Sequence, residues 1–163
     1  MAVPETPSLR ERILTVLKSR YENIEAGVDG YTITWNRVVR RPLTETEQEA
    51  GDALAIIDSA EVKSAEVQHY RSTMTVFTEF WIKLMEGDDP SVRLNLALLD
   101  VQRTMLSDIG ALETPGDPTT QLAVDITEVR NEFDIDSAAD RLVGGIVQWE
   151  VIYRHSEDDP RVC

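Results

Sequence analysis

Apolar and polar positions alternate along this chain with two different periods, and the changes of period mark its elements. Pro4 and Pro7 hold an extended lead-in. Ser8-Leu-Arg-Glu11 then has the form of a capping box, in which the Ser8 hydroxyl accepts from the Glu11 N–H and Glu11 reaches back. Leu9, Ile13, Val16, Leu17, Arg20 and Ile24 follow at helical spacing with only Arg20 polar, predicting a first helix from Ser8 to about Ile24. Gly27 and Gly30 supply a turn. Over 31–36 the period drops to two: Tyr31, Ile33 and Trp35 share one face, and Thr32, Thr34 and Asn36 the other, predicting a half-buried strand. The acidic stretch 42–51 reads as a loop. Residues 53–57 are apolar enough for a second strand, which fades into an exposed hairpin end over 58–66.

The clearest alternation runs over 70–84. Tyr70, Ser72, Met74, Val76, Thr78, Phe80, Ile82 and Leu84 form one face, and Arg71, Thr73, Thr75, Phe77, Glu79, Trp81 and Lys83 the other. Phe77 and Trp81 interrupt the polar face, so they are either covered by a neighbouring element or form an exposed patch that meets another subunit. Asp89 as N-cap and Pro90 at the first helical position open a second helix. Leu94, Leu98, Val101 and Met105 line one side of it, widened by Leu99 and Leu106, while Arg93, Asp100, Arg103 and Ser107 fall on other faces. Residues 111–121 read as a loop. Leu122, Val124 and Ile126 begin a strand on even positions, and Val129, Phe133 and Ile135 continue on odd ones, which requires a bulge near Thr127-Glu128. Val143, Val147, Trp149, Val151 and Tyr153 form one face of the last strand. Gly144-Gly145 marks a bulge or close packing at its start. The order helix, strand, strand, strand, helix, strand, strand predicts a single α+β domain over 1–163. It has a twisted antiparallel sheet of four to five strands, two helices packed on one face, and flexible termini at 1–7 and 156–163.

Charge narrows the function. Sixteen basic against thirty acidic residues give a net charge of −14. Such a balance opposes binding to a nucleic-acid backbone, whose affinity rests on Lys and Arg displacing counterions, and to anionic membrane surfaces. It suits a protein that stays soluble when crowded or that repels a polyanion. The single cysteine, Cys163, cannot form an internal disulfide. No apolar run approaches the roughly 20 residues of a membrane span, and the first residues lack the basic and apolar regions of a signal peptide. A protein made in the cytoplasm is expected.

Candidate chemistry is sparse. His69 and His155 have no neighbour at metal-ligand spacing, and no phosphate-binding glycine loop or nucleophile elbow is present. Asp88-Asp89 and Asp158-Asp159 adjoin prolines, where paired carboxylates serve as turn and cap residues. These readings predict no catalytic, metal or cofactor site. The densest basic group is Arg37, Arg40 and Arg41, which is either a solvated strand end or a subunit contact. In the second case it would pair with Glu45, Glu47 and Glu49 of a neighbouring copy.

The closing segment Gly144-Gly-Ile-Val-Gln-Trp-Glu-Val-Ile-Tyr-Arg-His-Ser-Glu-Asp-Asp-Pro160 resembles the end of the tail terminator, or tail completion, proteins of long-tailed bacteriophages. Those proteins close on an apolar strand running into Tyr-Arg-His and then an Asp-Pro, here Tyr153, Arg154, His155, Asp159 and Pro160. The predicted helix at 8–24, the strand from Tyr31, the strand at 70–84 and the helix at 90–108 sit where that family has them. The loops 42–51 and 111–121 have no counterpart in this layout. The resemblance implies a structural, non-enzymatic virion protein: a homo-oligomeric ring, a hexamer, that caps the completed tail tube and offers the head connector or stopper its joining surface. Its partners would be itself, the tube protein and that connector, with no cofactor. The ring would be assembled in the host cytoplasm. The residues Arg37, Arg40, Arg41, Glu45, Glu47, Phe77 and Trp81 are the candidate subunit contacts. Another neck or tail component, such as a stopper, connector or tube subunit, and a small acidic bacterial binding module are the alternative readings.

Overall fold

The computed structural model describes residues 7–67, 69–107, 113–114, 117–135, 138 and 140–156. Asp159, Pro160 and Cys163, and the expected flexible ends apart from Pro7 and Ser156, lie outside the described residues. In chain order the elements are α1 (Leu9–Glu22), β1 (Arg37–Val39), α2 (Glu45–Ala50), β2 (Ala53–Glu66), β3 (His69–Lys83) and α3 (Pro90–Leu106), then β4 (Glu113–Thr114), β5 (Asp117–Gln121), β6 (Asp125–Asp134) and β7 (Leu142–Ser156). The domain is mixed, with a five-stranded sheet ordered β1-β2-β3-β7-β6 and a separate two-stranded ladder of β4 and β5.

Two features of the predicted sheet are corrected. The sheet is not wholly antiparallel, because β1 runs parallel to β2, Val38 opposite Leu54. Among the described residues there are three α-helices rather than two, since the acidic stretch 42–51 contains α2. The reason is local: the Thr44 hydroxyl accepts from the Glu47 N–H, and the Glu47 carboxylate accepts from the Thr44 N–H, a complete capping box. α2 ends at Gly51, whose φ of 72° suits glycine and where a Cβ would lie 2.6 Å from the Lys83 Cβ. Likewise 113–114 and 117–121, read as loop, pair as β4 and β5.

α1 begins as its sequence predicts, with the Glu11 N–H donating to the Ser8 hydroxyl at 3.3 Å, but the Glu11 carboxylate goes to Arg40 rather than back to the cap. Leu9, Ile13, Leu14, Leu17 and Tyr21 are buried, so the stripe also includes Leu14 and Tyr21, with Val16 partly buried against the core and Arg20 partly exposed. The fully buried Tyr21 hydroxyl donates to the Val101 carbonyl at 3.0 Å, tying α1 to α3, and burial pushes its ionisation well above the ordinary phenol range. α1 and α3 cover one face of the sheet. That face carries Leu54 and Ile56 from β2, Met74 to Ile82 at alternate positions of β3, and Val143, Val147, Trp149, Val151 and Tyr153 of β7. The buried Trp149 indole donates to the Thr78 hydroxyl.

The alternation over 31–36 is present without the strand. Ile33 and Trp35 are buried and Thr34 exposed, yet the segment joins no ladder, and the strand begins only at Arg37. The Thr32 and Ile33 N–H groups donate instead to one oxygen of Asp100 on α3, at 2.7 and 3.1 Å, and the Thr32 hydroxyl joins them at 2.7 Å. Asp100, expected on an outer face, is therefore 1% exposed. Its other oxygen is buried without a hydrogen-bond partner among the described residues, a desolvation cost that the three donors must outweigh.

The end of the sheet is placed by glycines. Gly144 and Gly145 stand opposite Trp81 and Phe80, with no break in the β3–β7 register, so they mark close packing rather than a bulge. A Cβ on Gly144 would lie 2.6 Å from the Phe80 carbonyl and 2.7 Å from the Trp81 ring. The predicted bulge in β6 is present, between Glu128 and Arg130.

Candidate subunit interface

The sheet face turned away from α1 and α3 is only partly covered. At its β1–β2 end, Leu43, Ala53 and Ala55 form a second apolar cluster with Val39, Ile57 and Trp81 packed against it. Trp81 is thus half-buried, its ring over Gly144 and its indole N–H donating to Glu79 at 3.1 Å. Phe77 is half-buried between Ile57 and Gln148 on the flanking strands. Trp81 is partly covered by its own chain, and both it and Phe77 stay part of an open surface.

That surface is a groove. Two adjoining hollows, of about 260 and about 180 Å³, share Glu79, Glu132 and Ile146. The floor is apolar, from Ile57, Phe77, Trp81 and Ile146. The rim is polar and mostly acidic, from Glu79, Glu132 and Asp134, with Arg130 and Gln148. Ile146 is 44% exposed in the middle of the sheet. Glu79 is fixed there by the Gln48 amide and the Leu43 N–H, both from the α2 side.

The basic cluster and the acidic segment do meet, but within one chain. Arg41 forms a two-pronged pair with Glu47, both bonds 2.8 Å, and the Arg37 Nε lies 3.2 Å from the same carboxylate. The Arg41 hydrogen bond, with that of the Thr44 N–H, holds the Glu47 carboxyl down at about 2. Arg40 pairs with Glu11 and, at 3.8 Å, with Asp58. Glu45 and Glu49 are exposed on α2. An intersubunit partner is therefore not required to neutralise this cluster, and its exposed pairs are individually weak.

Tyr153 and His155 of the closing motif border a second, polar cleft of about 540 Å³ beside the start of α1, lined also by Ser8, Arg10, Glu61 and Lys63. The Tyr153 hydroxyl donates to Glu61 at 2.6 Å, and Arg10 forks between Asp58, at 2.6 Å, and Glu61, at 3.3 Å. Burial pushes the Asp58 and Glu61 carboxyls up, but the hydrogen bonds and charges of Arg10, with Tyr153 and Lys63 at Glu61, outweigh it and hold both below the ordinary range. Burial, then the bond to Glu61, pushes Tyr153 well above the ordinary phenol range. Arg154 points the other way and pairs with Glu66 at 2.9 Å. His155 is buried between Tyr70 and Tyr153, its Nδ1 against the Ser156 carbonyl at 2.9 Å. His69 Nδ1 lies 3.4 Å from the Val67 carbonyl. The cleft's ionic groups are locked in pairs within the chain, an arrangement that joins α1 to the ends of β2 and β7.

No group of three metal-binding side chains occurs among the described residues, and no helix among them is long and apolar enough to cross a membrane. No protein-family model matches the chain, and no curated protein is significantly similar to it.

The sequence singled out Phe77 and Trp81 correctly as apolar residues on a polar face, but not the groove around them. Ile57, Glu79, Glu132 and Ile146 come together only through the β2-β3-β7-β6 register. Ile146 carried a signal, since it falls on the polar phase of β7.

Proposed function

We propose that this chain is a structural subunit of a phage virion, a tail terminator that closes into a ring on the finished tail tube and presents a surface to the head connector or stopper. The observation that carries the reading is the uncovered apolar groove on the outer sheet face of a chain with net charge −14. Contiguous apolar surface on so acidic a protein needs a partner, and a ring of identical copies provides one at every position. The closing strand with Tyr153, Arg154 and His155, and the antiparallel run β2-β3-β7-β6 with α1 and α3 on one face, support the terminator layout over a general binding module. The net negative charge suits a channel that passes DNA without holding it, because it opposes phosphate adhesion. In this reading the subunit performs no chemistry and needs no cofactor. Six copies would form the ring.

The test is electron microscopy of a lysate from a phage carrying an early stop codon in this gene. The expected result is tails that overrun the normal length and do not join heads. Normal-length tails on full heads would reject the terminator role, and heads with no tube at all would favour a tube or initiator component.

A further inference from the structure

The outer side of α3 is the second uncovered apolar surface. Val92, Leu99 and Leu106 recur every second turn on one line of the helix and are 54%, 54% and 40% exposed, with the half-buried Leu96 between them. This line also differs from the rest of the chain in charge. The one carboxylate on α3 is Asp100, and it is buried; of the two arginines, Arg93 is half-buried and paired with Asp88 at 3.7 Å, and Arg103 is the exposed one, on the same line as Leu99 and Leu106. Arg103 lies over the Tyr31 ring at 4.8 Å and donates to the Asp29 carbonyl at 2.5 Å, in a residue that is exposed overall. α3 packs on β3, β6 and β7, and the groove lies on the back of those same strands. One subunit therefore presents an apolar ridge that carries Arg103 on one side of the sheet and an apolar groove with a net acidic rim on the other.

We infer that copies of this chain associate head to tail, with the Val92–Leu96–Leu99–Leu106 ridge of one copy seated in the Ile57–Phe77–Ile146 groove of the next. This rests on the reading of the chain as a self-assembling ring subunit and names the surfaces it would use. Charge decides between pairings. The groove rim is acidic on balance, with Glu79, Glu132 and Asp134 against Arg130, which pairs with Glu132 at 3.4 Å, so groove on groove sets like charge against like, and ridge on ridge sets Arg103 against itself. Ridge in groove sets Arg103 beside the net acidic rim and covers both apolar surfaces at once. Because the two surfaces differ and face opposite ways, the contact is heterologous, and it generates a ring when the rotation between copies closes.

The test uses two full-length variants. Leu99→Asp spoils the ridge and leaves the groove, and Ile146→Asp does the reverse; both residues are exposed enough for the fold to survive, which circular dichroism checks. Val92→Asp serves if Leu99→Asp does not fold. Sedimentation or native mass spectrometry at sub-millimolar protein should show wild type as a closed oligomer and each variant alone as a monomer. An equal mixture should give a one-to-one pair and nothing larger, since only one intact ridge and one intact groove remain to meet. Variants that keep the wild-type oligomer, or a mixture that stays monomeric, would overturn this pairing while leaving the ring reading intact. A wild-type monomer would overturn both.

Discussion

Replacing Asp100 by alanine is expected to cost about 3 kcal/mol or more and to free the segment that carries Trp35. The cost follows from what the carboxylate holds. One oxygen accepts the Thr32 N–H, the Thr32 hydroxyl and the Ile33 N–H, and hydrogen bonds to a charged acceptor are worth roughly 1.5–3 kcal/mol each. Alanine leaves the Ile33 donor buried and unpaired, with a penalty of roughly 1–3 kcal/mol for that group alone. The unpartnered second oxygen of Asp100 returns part of this, because its desolvation disappears with the side chain. Asp100→Asn, which keeps one acceptor, should cost less than Asp100→Ala. Asn95→Ala, exposed on the same helix, should stay within about 0.5 kcal/mol. Urea unfolding checks the order, and tryptophan fluorescence checks whether Trp35, 6% exposed and edge-on to Phe80 at 6.2 Å, becomes wet. Equal stability of the alanine and asparagine variants to wild type would show that the 31–35 segment is held by Ile33 and Trp35 packing alone.

Trp149→Ala is the second large effect, expected at about 3–5 kcal/mol. Trp149 is the largest fully buried side chain and stands opposite Val76 at the centre of the sheet, so its loss leaves a cavity that two flanking strands cannot close. It also strands the buried Thr78 hydroxyl that accepts its indole N–H. Glu150→Ala, on the exposed face of the same strand, should change stability by less than about 0.5 kcal/mol. Denaturant midpoints for the pair measure the phase of β7 directly, and equal effects would contradict it.

The sequence was most informative where a local signal decides the structure. The Ser8 cap, the alternation of β3, the Asp89-Pro90 helix start, the β6 bulge and the tight glycines of β7 were all readable, because each depends on neighbours along the chain. α2 was missed although the Thr44–Glu47 box is in the letters, because three glutamates and a glutamine within 45–49 suggest a solvated loop. What stayed hidden depends on distant partners. The strand pattern at 31–35 failed because Asp100, some 67 positions on, takes the backbone donors that a ladder would need. The parallel β1–β2 pairing has no local signature. The face of α3 was misjudged in the same way: Asp100 and Thr104 turn inward with Ala97, and Leu99 and Leu106, assigned to the core by their hydrophobicity, are left outside. The basic cluster suggested a contact between copies, and the fold brings Glu47 to it within one copy instead.

The ring is the central claim, and negative-stain electron microscopy of the purified protein tests it most directly. Uniform closed rings with an open centre, and no growth into filaments at high concentration, are the predicted result. Open filaments of varying length, or single particles at every concentration, would contradict it.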